Sequence, residues 1–311
     1  MSRALSVQEL HRAFGEVKAV DAVSFDVEAG QICGFIGPNG AGKTTTMRIA
    51  ATLDLPDSGD VLIGGMSVLS HPREARRQLG FMPDAYASEP NMPVSDYLDF
   101  HARAQGLRGK DRGKAVRDVV EFTGLGPLMQ KDCTSLSKGM RQRAGLAVTL
   151  LHDPALLILD EPAAGLDPRA RVELRELLAV LANELGKAVL ISSHILTELS
   201  EICDVVAVIE QGRIRATGKV SDIQKGLRPD PVYRIRHLGE PVDLERFLAE
   251  QPDVHDVRAD GEGVVFMVPD EEGAARVLAA AITGGLQVIE FRPVQADLEE
   301  VFLSLTEGNV Q

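Results

Sequence analysis

The chain has 311 residues, enough for two domains and a large core. Its composition is 44% hydrophobic and 25% charged, which argues against a disordered or fibrous chain. The net charge of −13 is unevenly held: residues 226–311 carry seven Arg and no Lys against 17 Asp plus Glu, so ten of the thirteen excess negative charges lie there. A duplex-binding surface is normally basic, and no nucleic-acid partner is expected.

The opening stretch, MSRALSVQELHRAFG, lacks the apolar run of a secretory signal. The most apolar segment elsewhere, LLHDPALLILDEP, is interrupted by His152, Asp153 and Pro154, so the chain is not expected to span a membrane by itself. Cys33, Cys133 and Cys203 are odd in number, widely spaced and without metal-type spacing, and read as reduced, buried thiols.

In chain order, Val23, Phe25 and Val27 alternate with polar residues as a half-buried strand does. QICGFIG, after Gly30, is an apolar run suited to a buried parallel strand. A glycine-rich loop and a helix from about Gly42 follow. Residues 86–152 read as mostly helical, with SDYLDFHARAQ as a capped amphipathic segment. ALLILD (155–160) is a second buried strand, a helix follows Pro168, and AVLIS (188–192) is a third core strand. This order predicts an α/β fold, a parallel sheet with an inserted helical subdomain. GLRPDP (226–231) reads as a linker. Beyond it the pattern predicts strand 232–238, helix 243–250, strands 254–259 and 263–268, helix 271–283, strand 286–292 and helix 297–306: a small α+β module, possible in a ferredoxin-like arrangement. The domains expected are therefore 1–225 and 231–308.

GPNGAGKTT fits G-x-x-x-x-G-K-[ST] between a strand and a helix. In a P-loop of this kind, Gly37, Gly40 and Gly42 let the backbone curl so that its N–H groups, those of Asn39, Ala41 and Thr45 among them, face phosphates, while Pro38 lies in the same loop without an N–H of its own. Lys43 reaches the terminal phosphates, the Thr44 hydroxyl can ligate magnesium, and the helix directs its positive end at the same anion. LLILDEP then ends a buried strand in two acids. Asp160 would hold the magnesium shell and Glu161 would polarise an attacking water. Alone, two such acids could be solvated caps; the phosphate loop upstream favours catalysis. His194, in ISSHIL, closes the next strand, where a side chain can reach a γ-phosphate.

Together these residues resemble the nucleotide-binding subunit of an ATP-binding cassette (ABC) transporter, over roughly the first 225 residues. The resemblance implies ATP and Mg²⁺ as ligands and a head-to-tail homodimer. It reads LSKGM (136–140) as the family signature, usually LSGGQ, in which Ser137 and Gly139 contact the γ-phosphate of ATP held by the other subunit. It places Phe14 where an aromatic stacks on adenine, although a Phe read in isolation is more often core. It makes Asp167, in GLDP, a residue touching the opposite subunit, and His194 the switch histidine. Asp84 stands where the family has a magnesium-ligating Gln, Lys138 and Met140 replace Gly and Gln of the signature, and Ala164 replaces a frequent Ser; none of these touches the phosphate loop or the paired acids. ADLEEVFLSLTEG (296–308) resembles the end of the accessory domain in export-type members, which work with separately encoded transmembrane permeases. Leu298, Val301, Phe302 and Leu305 would form a core-facing helical stripe in any case. The location implied is peripheral, at the cytoplasmic face of the cell membrane. A soluble relative acting on DNA or ribosomes would need long coiled coils or two cassettes, and no such heptad run occurs. A regulatory module that binds ATP without turnover is the other reading, and phosphate release discriminates it.

Overall fold

The computed structural model describes residues 3–84, 91–193, 202–220, 222 and 230–294. The chain divides into two compact units, Met1–Val220 and Ser221–Gln311.

The first unit is built on two sheets. Strands β1 (Arg3–Phe14), β2 (Val17–Glu28), β4 (Ser58–Ile63) and β5 (Met66–Ser67) form an antiparallel sheet ordered β2-β1-β4-β5. The second sheet runs β10 (Arg213–Lys219), β9 (Val205–Glu210), β3 (Ile32–Ile36), β8 (Ala188–Ser193), β7 (Leu156–Leu159), β6 (Leu79–Met82). Its neighbours are parallel except β10 against β9, so the sheet is mixed. The runs ICGFI and LLIL are buried throughout because both faces of a central parallel strand are covered. Phe25 of β2 and Phe35 of β3 meet with ring centroids 5.1 Å apart, joining the two sheets across one core that also takes Met47 and Ile49.

Helix α1 (Lys43–Ala50) follows β3, and α2 (Pro72–Gln78) precedes β6. Helices α3 (Val94–Ala104), α4 (Gly109–Phe122) and α5 (Lys138–Leu150) lie between β6 and β7, where a helical insertion was expected, and α6 (Pro168–Asn183) lies between β7 and β8. The first inserted helix differs in its start: it begins at Val94 behind Pro93, with no side-chain cap. The antiparallel sheet is the larger difference. Beyond Val23–Val27 its strands escape a period-two reading, because register shifts and Glu9 at φ 42° break the alternation of β1.

In the second unit, β11 (Val232–His237), β12 (His255–Asp260), β13 (Gly263–Met267) and β14 (Val288–Val294) form an antiparallel sheet ordered β12-β13-β11-β14. Helices α7 (Pro241–Ala249) and α8 (Glu271–Thr283) contribute Leu244, Leu248, Ala274 and Val277 to a core with Tyr233, Ile235 and Phe266. Among the described residues no helix is long and apolar enough to cross a membrane. The helix expected at 297–306 lies outside the described residues.

Candidate functional site

The site forms at the carboxyl ends of β3, β7 and β8, the place where open α/β sheets bind ligands. After Ile36 the chain turns through the glycine loop into α1, whose N-cap is Gly42 at φ 104°. That backbone favours glycine, and a Cβ there would stand 2.3 Å from the Ala19 carbonyl oxygen. Close packing of the loop against β2 thus demands Gly42. Thr46 donates its hydroxyl to the Gly42 carbonyl at 2.9 Å, tightening the first turn.

Lys43 is buried and folds back over the loop, donating to the carbonyls of Gly37 (2.7 Å) and Pro38 (3.2 Å). Its ammonium also lies 3.9 Å from Glu161 Oε1, with the Glu161 side chain 14% exposed. Burial pulls the Lys43 pKa below its ordinary value, and the carboxylates of Glu161 and then Asp160 oppose that pull.

The register explains the acids. Leu159 of β7 pairs with Ile191 of β8, so the next residues along, Asp160 and Ser192, fall side by side. The Ser192 hydroxyl donates to Asp160 Oδ1 at 2.6 Å and accepts from the Glu161 backbone N–H at 2.8 Å. Asp160 is 3% exposed, and its own N–H reaches the Met82 carbonyl at the end of β6. Glu161 sits at φ 49°, a left-handed conformation that costs a non-glycine residue on the order of 1–2 kcal/mol. Ser192 was not identified in the sequence. Its signal lay in the strand register, which a single sequence does not expose.

One cleft of about 390 Å³ is lined by Asn39, Gly40, Gly42, Lys43, Thr44, Thr45, Asp84 and Glu161, with Ala19 and Ala164. Asp84, two residues past β6, therefore does reach the site. Ser137 and Gly139 do not line it. Ser137 caps α5, its hydroxyl oxygen accepting from Met140 N–H at 3.3 Å. A Cβ on Gly139 would be 3.1 Å from the Ala170 Cβ, so this glycine has a packing role within its own chain as well. Asp167 caps α6 through Ala170 N–H at 2.9 Å, and Arg143 bridges α5 to Glu173 of α6. Lys138 crosses the loop after Glu161: its Nζ is 2.5 Å from where a Cβ on Gly165 would stand. Phe14, 50% exposed, stands at the turn of the β1–β2 hairpin. His194 lies outside the described residues. Cys33, Cys133 and Cys203 form no disulfide and are buried as expected, and burial pushes the Cys33 thiol up to about 12.

A glycine cradle, a buried lysine and a pinned Asp–Glu pair at the ends of neighbouring parallel strands define a P-loop nucleotide-binding ATPase. Residues 20–164 match the family model described as ABC transporter, and residues 218–306 match the model described as ATP-binding protein DrrA1-3-like, C-terminal domain. The chain is 34% identical over 306 residues to the Nod factor export ATP-binding protein I of Ralstonia nicotianae, covering 97% of this chain and 93% of that protein. It is 31% identical over 308 residues to the bacitracin transport ATP-binding protein BcrA of Bacillus licheniformis, covering 99% of each. A solved ATP-binding subunit of an ABC transporter superposes with TM-score 0.65 at 29% identity, over 72% of this chain and 93% of the other. The chain belongs to the ABC transporter ATP-binding proteins, in the export group that contains the Nod factor and bacitracin proteins, and it is an ATPase.

Proposed function

We propose that this chain drives a separately encoded export permease by hydrolysing ATP between two copies of itself arranged head to tail. One observation carries the reading: the cleft that gathers Lys43, Thr44, Asp84 and Glu161 lacks Ser137 and Gly139, although these residues form the capped N-terminus of α5. A phosphate contact by Ser137 and Gly139 is then made to nucleotide held by the other copy, with Asp167 at the same junction.

Within one copy, the N–H groups from Asn39 through Thr45 cradle the phosphates and Lys43 neutralises them. The residues fit a magnesium ion: Thr44 and Asp84 line the cleft, and Asp160, buried next to Glu161 and close enough to act on the Lys43 charge, has one carboxylate oxygen held by Ser192. Magnesium bound by Thr44, Asp84 and Asp160 would offset the charge on the phosphate oxygens. Glu161 is the general base: its backbone is pinned by Ser192 and its side chain projects toward Lys43 and the cleft. Phe14 stacks on adenine and His194 senses the γ-phosphate. The helical subdomain over 86–152 and the loop carrying Asp84 receive the permease, which places the subunit at the cytoplasmic face of the membrane. The working domains are 1–225 for ATP and 231–308 as the accessory domain. The β12-β13-β11-β14 order supports a ferredoxin-like arrangement for the latter.

Glu161→Gln tests this reading. It keeps the side-chain shape and removes the base, so turnover falls on the order of 10²–10⁴-fold while ATP binding persists. Unhydrolysed ATP then holds a dimer, visible by gel filtration. A variant that binds ATP yet stays monomeric argues against the shared site, and one with unchanged phosphate release removes Glu161 as base.

A further inference from the structure

The hairpin that carries Phe14 is braced in a way the ATPase chemistry does not require. The Arg12 guanidinium lies over the Phe14 ring, its central carbon 4.8 Å from the ring centroid. The same guanidinium is held on its other edges by Asp57 Oδ1 at 3.0 Å and Asp54 Oδ1 at 3.2 Å. Asp57 does more: its second oxygen accepts from the Ala13 backbone N–H at 2.6 Å, and its own N–H donates to the His11 carbonyl at 2.8 Å. These contacts fix the backbone immediately before Phe14 and the ring itself from one construction. Asp54 and Asp57 both lie in the segment that joins α1 to β4. The brace therefore reaches from the helix that follows the phosphate loop to the aromatic at the hairpin turn.

We infer that Arg12, clamped by Asp54 and Asp57, is a positioning residue for the purine: it holds one face of Phe14 so that the ring offers its other face to the base in a fixed orientation. The inference rests on the stacking role proposed for Phe14. A half-exposed phenylalanine on a hairpin turn otherwise samples several rotamers, and binding then carries the cost of ordering it. A guanidinium fixed over its ring removes much of that cost in advance, and the cation–π contact favours the same rotamer. The His11–Asp21 pair, 3.3 Å apart, and the Arg213–Asp21 bridge at 2.7 Å anchor the neighbouring part of the hairpin independently, so loss of Arg12 leaves the hairpin itself in place.

The test compares dissociation constants of two probes, ATP and inorganic tripolyphosphate, both in EDTA, for the full chain and for Arg12→Ala, Asp54→Asn, Phe14→Ala and the Arg12→Ala/Phe14→Ala pair. Arg12→Ala weakens ATP roughly three- to tenfold and leaves tripolyphosphate unchanged. Asp54→Asn, which loosens only one arm, shifts ATP in the same direction by less. In the Phe14→Ala background, Arg12→Ala has no further effect on ATP. Equal weakening of tripolyphosphate, or an undiminished effect without Phe14, overturns the inference and assigns Arg12 to general stability. Should Phe14→Ala leave ATP affinity unchanged, the stacking role itself fails and the inference falls with it. Should Phe14→Ala weaken ATP while Arg12→Ala does not, the stacking role stands and only the positioning role is lost.

Discussion

Ser192 concentrates the chemistry of the site in one hydroxyl. It donates to the buried Asp160 carboxylate and accepts from Glu161 N–H, so it fixes a proposed metal ligand and the backbone of the proposed base together. Hydrogen bonds to charged groups contribute about 1.5–3 kcal/mol each, more than neutral ones, and an acceptor left unsatisfied at a site 3% exposed adds its own desolvation cost. The left-handed backbone at Glu161 is held by the same serine and by Ala164 N–H, 3.1 Å from the Glu161 carbonyl. Ser192→Ala is therefore expected to lower the free energy of unfolding by about 1.5–3 kcal/mol in nucleotide-free protein, measured by urea titration. It should also reduce phosphate release more than it reduces ATP affinity in EDTA, since Asp160 and Glu161 lose their alignment while the glycine cradle does not. An unchanged urea midpoint together with unchanged turnover would show that Ser192 is a passive neighbour.

At the scale of elements, what could be read from the chain follows how local each signal is. The buried strands Ile32–Ile36, Leu156–Leu159 and Ala188–Ser193 are apolar runs, and all three formed within a residue or two of expectation because burial on both faces leaves no other use for such runs. The accessory strands and the helices Pro241–Ala249 and Glu271–Thr283 were legible for a related reason, each alternating or repeating over a short span. The antiparallel sheet was mostly missed because its first strand is bulged, and the pairing of β1 with β4 joins residues more than forty apart. The site divided in the same manner. The phosphate loop and the Asp–Glu pair are contiguous in sequence and could be read from it as a candidate site, and the structure brings Lys43 and Glu161 to one cleft; Ser192 and the Arg12 clamp depend on partners 32 and 45 residues away and could not be read. The division into units carries its own prediction. The accessory unit has its own core around Ile235, Phe266 and Leu248, and its Arg234 is held to Glu290 at 3.0 Å and Asp260 at 2.7 Å within the same sheet. A fragment of residues 1–225 should therefore fold and bind ATP with an affinity within about threefold of the full chain, a difference below 1 kcal/mol. Isothermal titration of the folded fragment checks this, and a folded fragment that fails to bind ATP removes the proposed boundary.

At the scale of the whole molecule, the proposed arrangement gives each copy half of two sites. Lys43 lines the cleft and Ser137 does not, so each complete site would take Lys43 from one copy and Ser137 from the other. The geometry around Ser137 makes a clean variant possible: its hydroxyl caps α5 with one bond of 3.3 Å, and Ser137 itself is exposed, so a larger side chain there meets solvent within its own chain. Loss of that cap costs about 1 kcal/mol, which a chain with this core tolerates. Ser137→Arg should bind ATP as a monomer and be unable to close on a partner. Lys43→Ala should lose its own nucleotide. Neither forms an ATP-held homodimer. Mixed, the two produce one doubly damaged site and one intact site, the latter pairing Lys43 of the Ser137→Arg chain with Ser137 of the Lys43→Ala chain. Glu161→Gln in both backgrounds slows hydrolysis and preserves the pair for energy transfer between a donor dye on one variant and an acceptor on the other. The expected result is an ATP-dependent signal in the mixture and none in either variant alone. If Ser137 instead serves nucleotide within its own chain, each variant carries its defect regardless of partner, and mixing restores nothing.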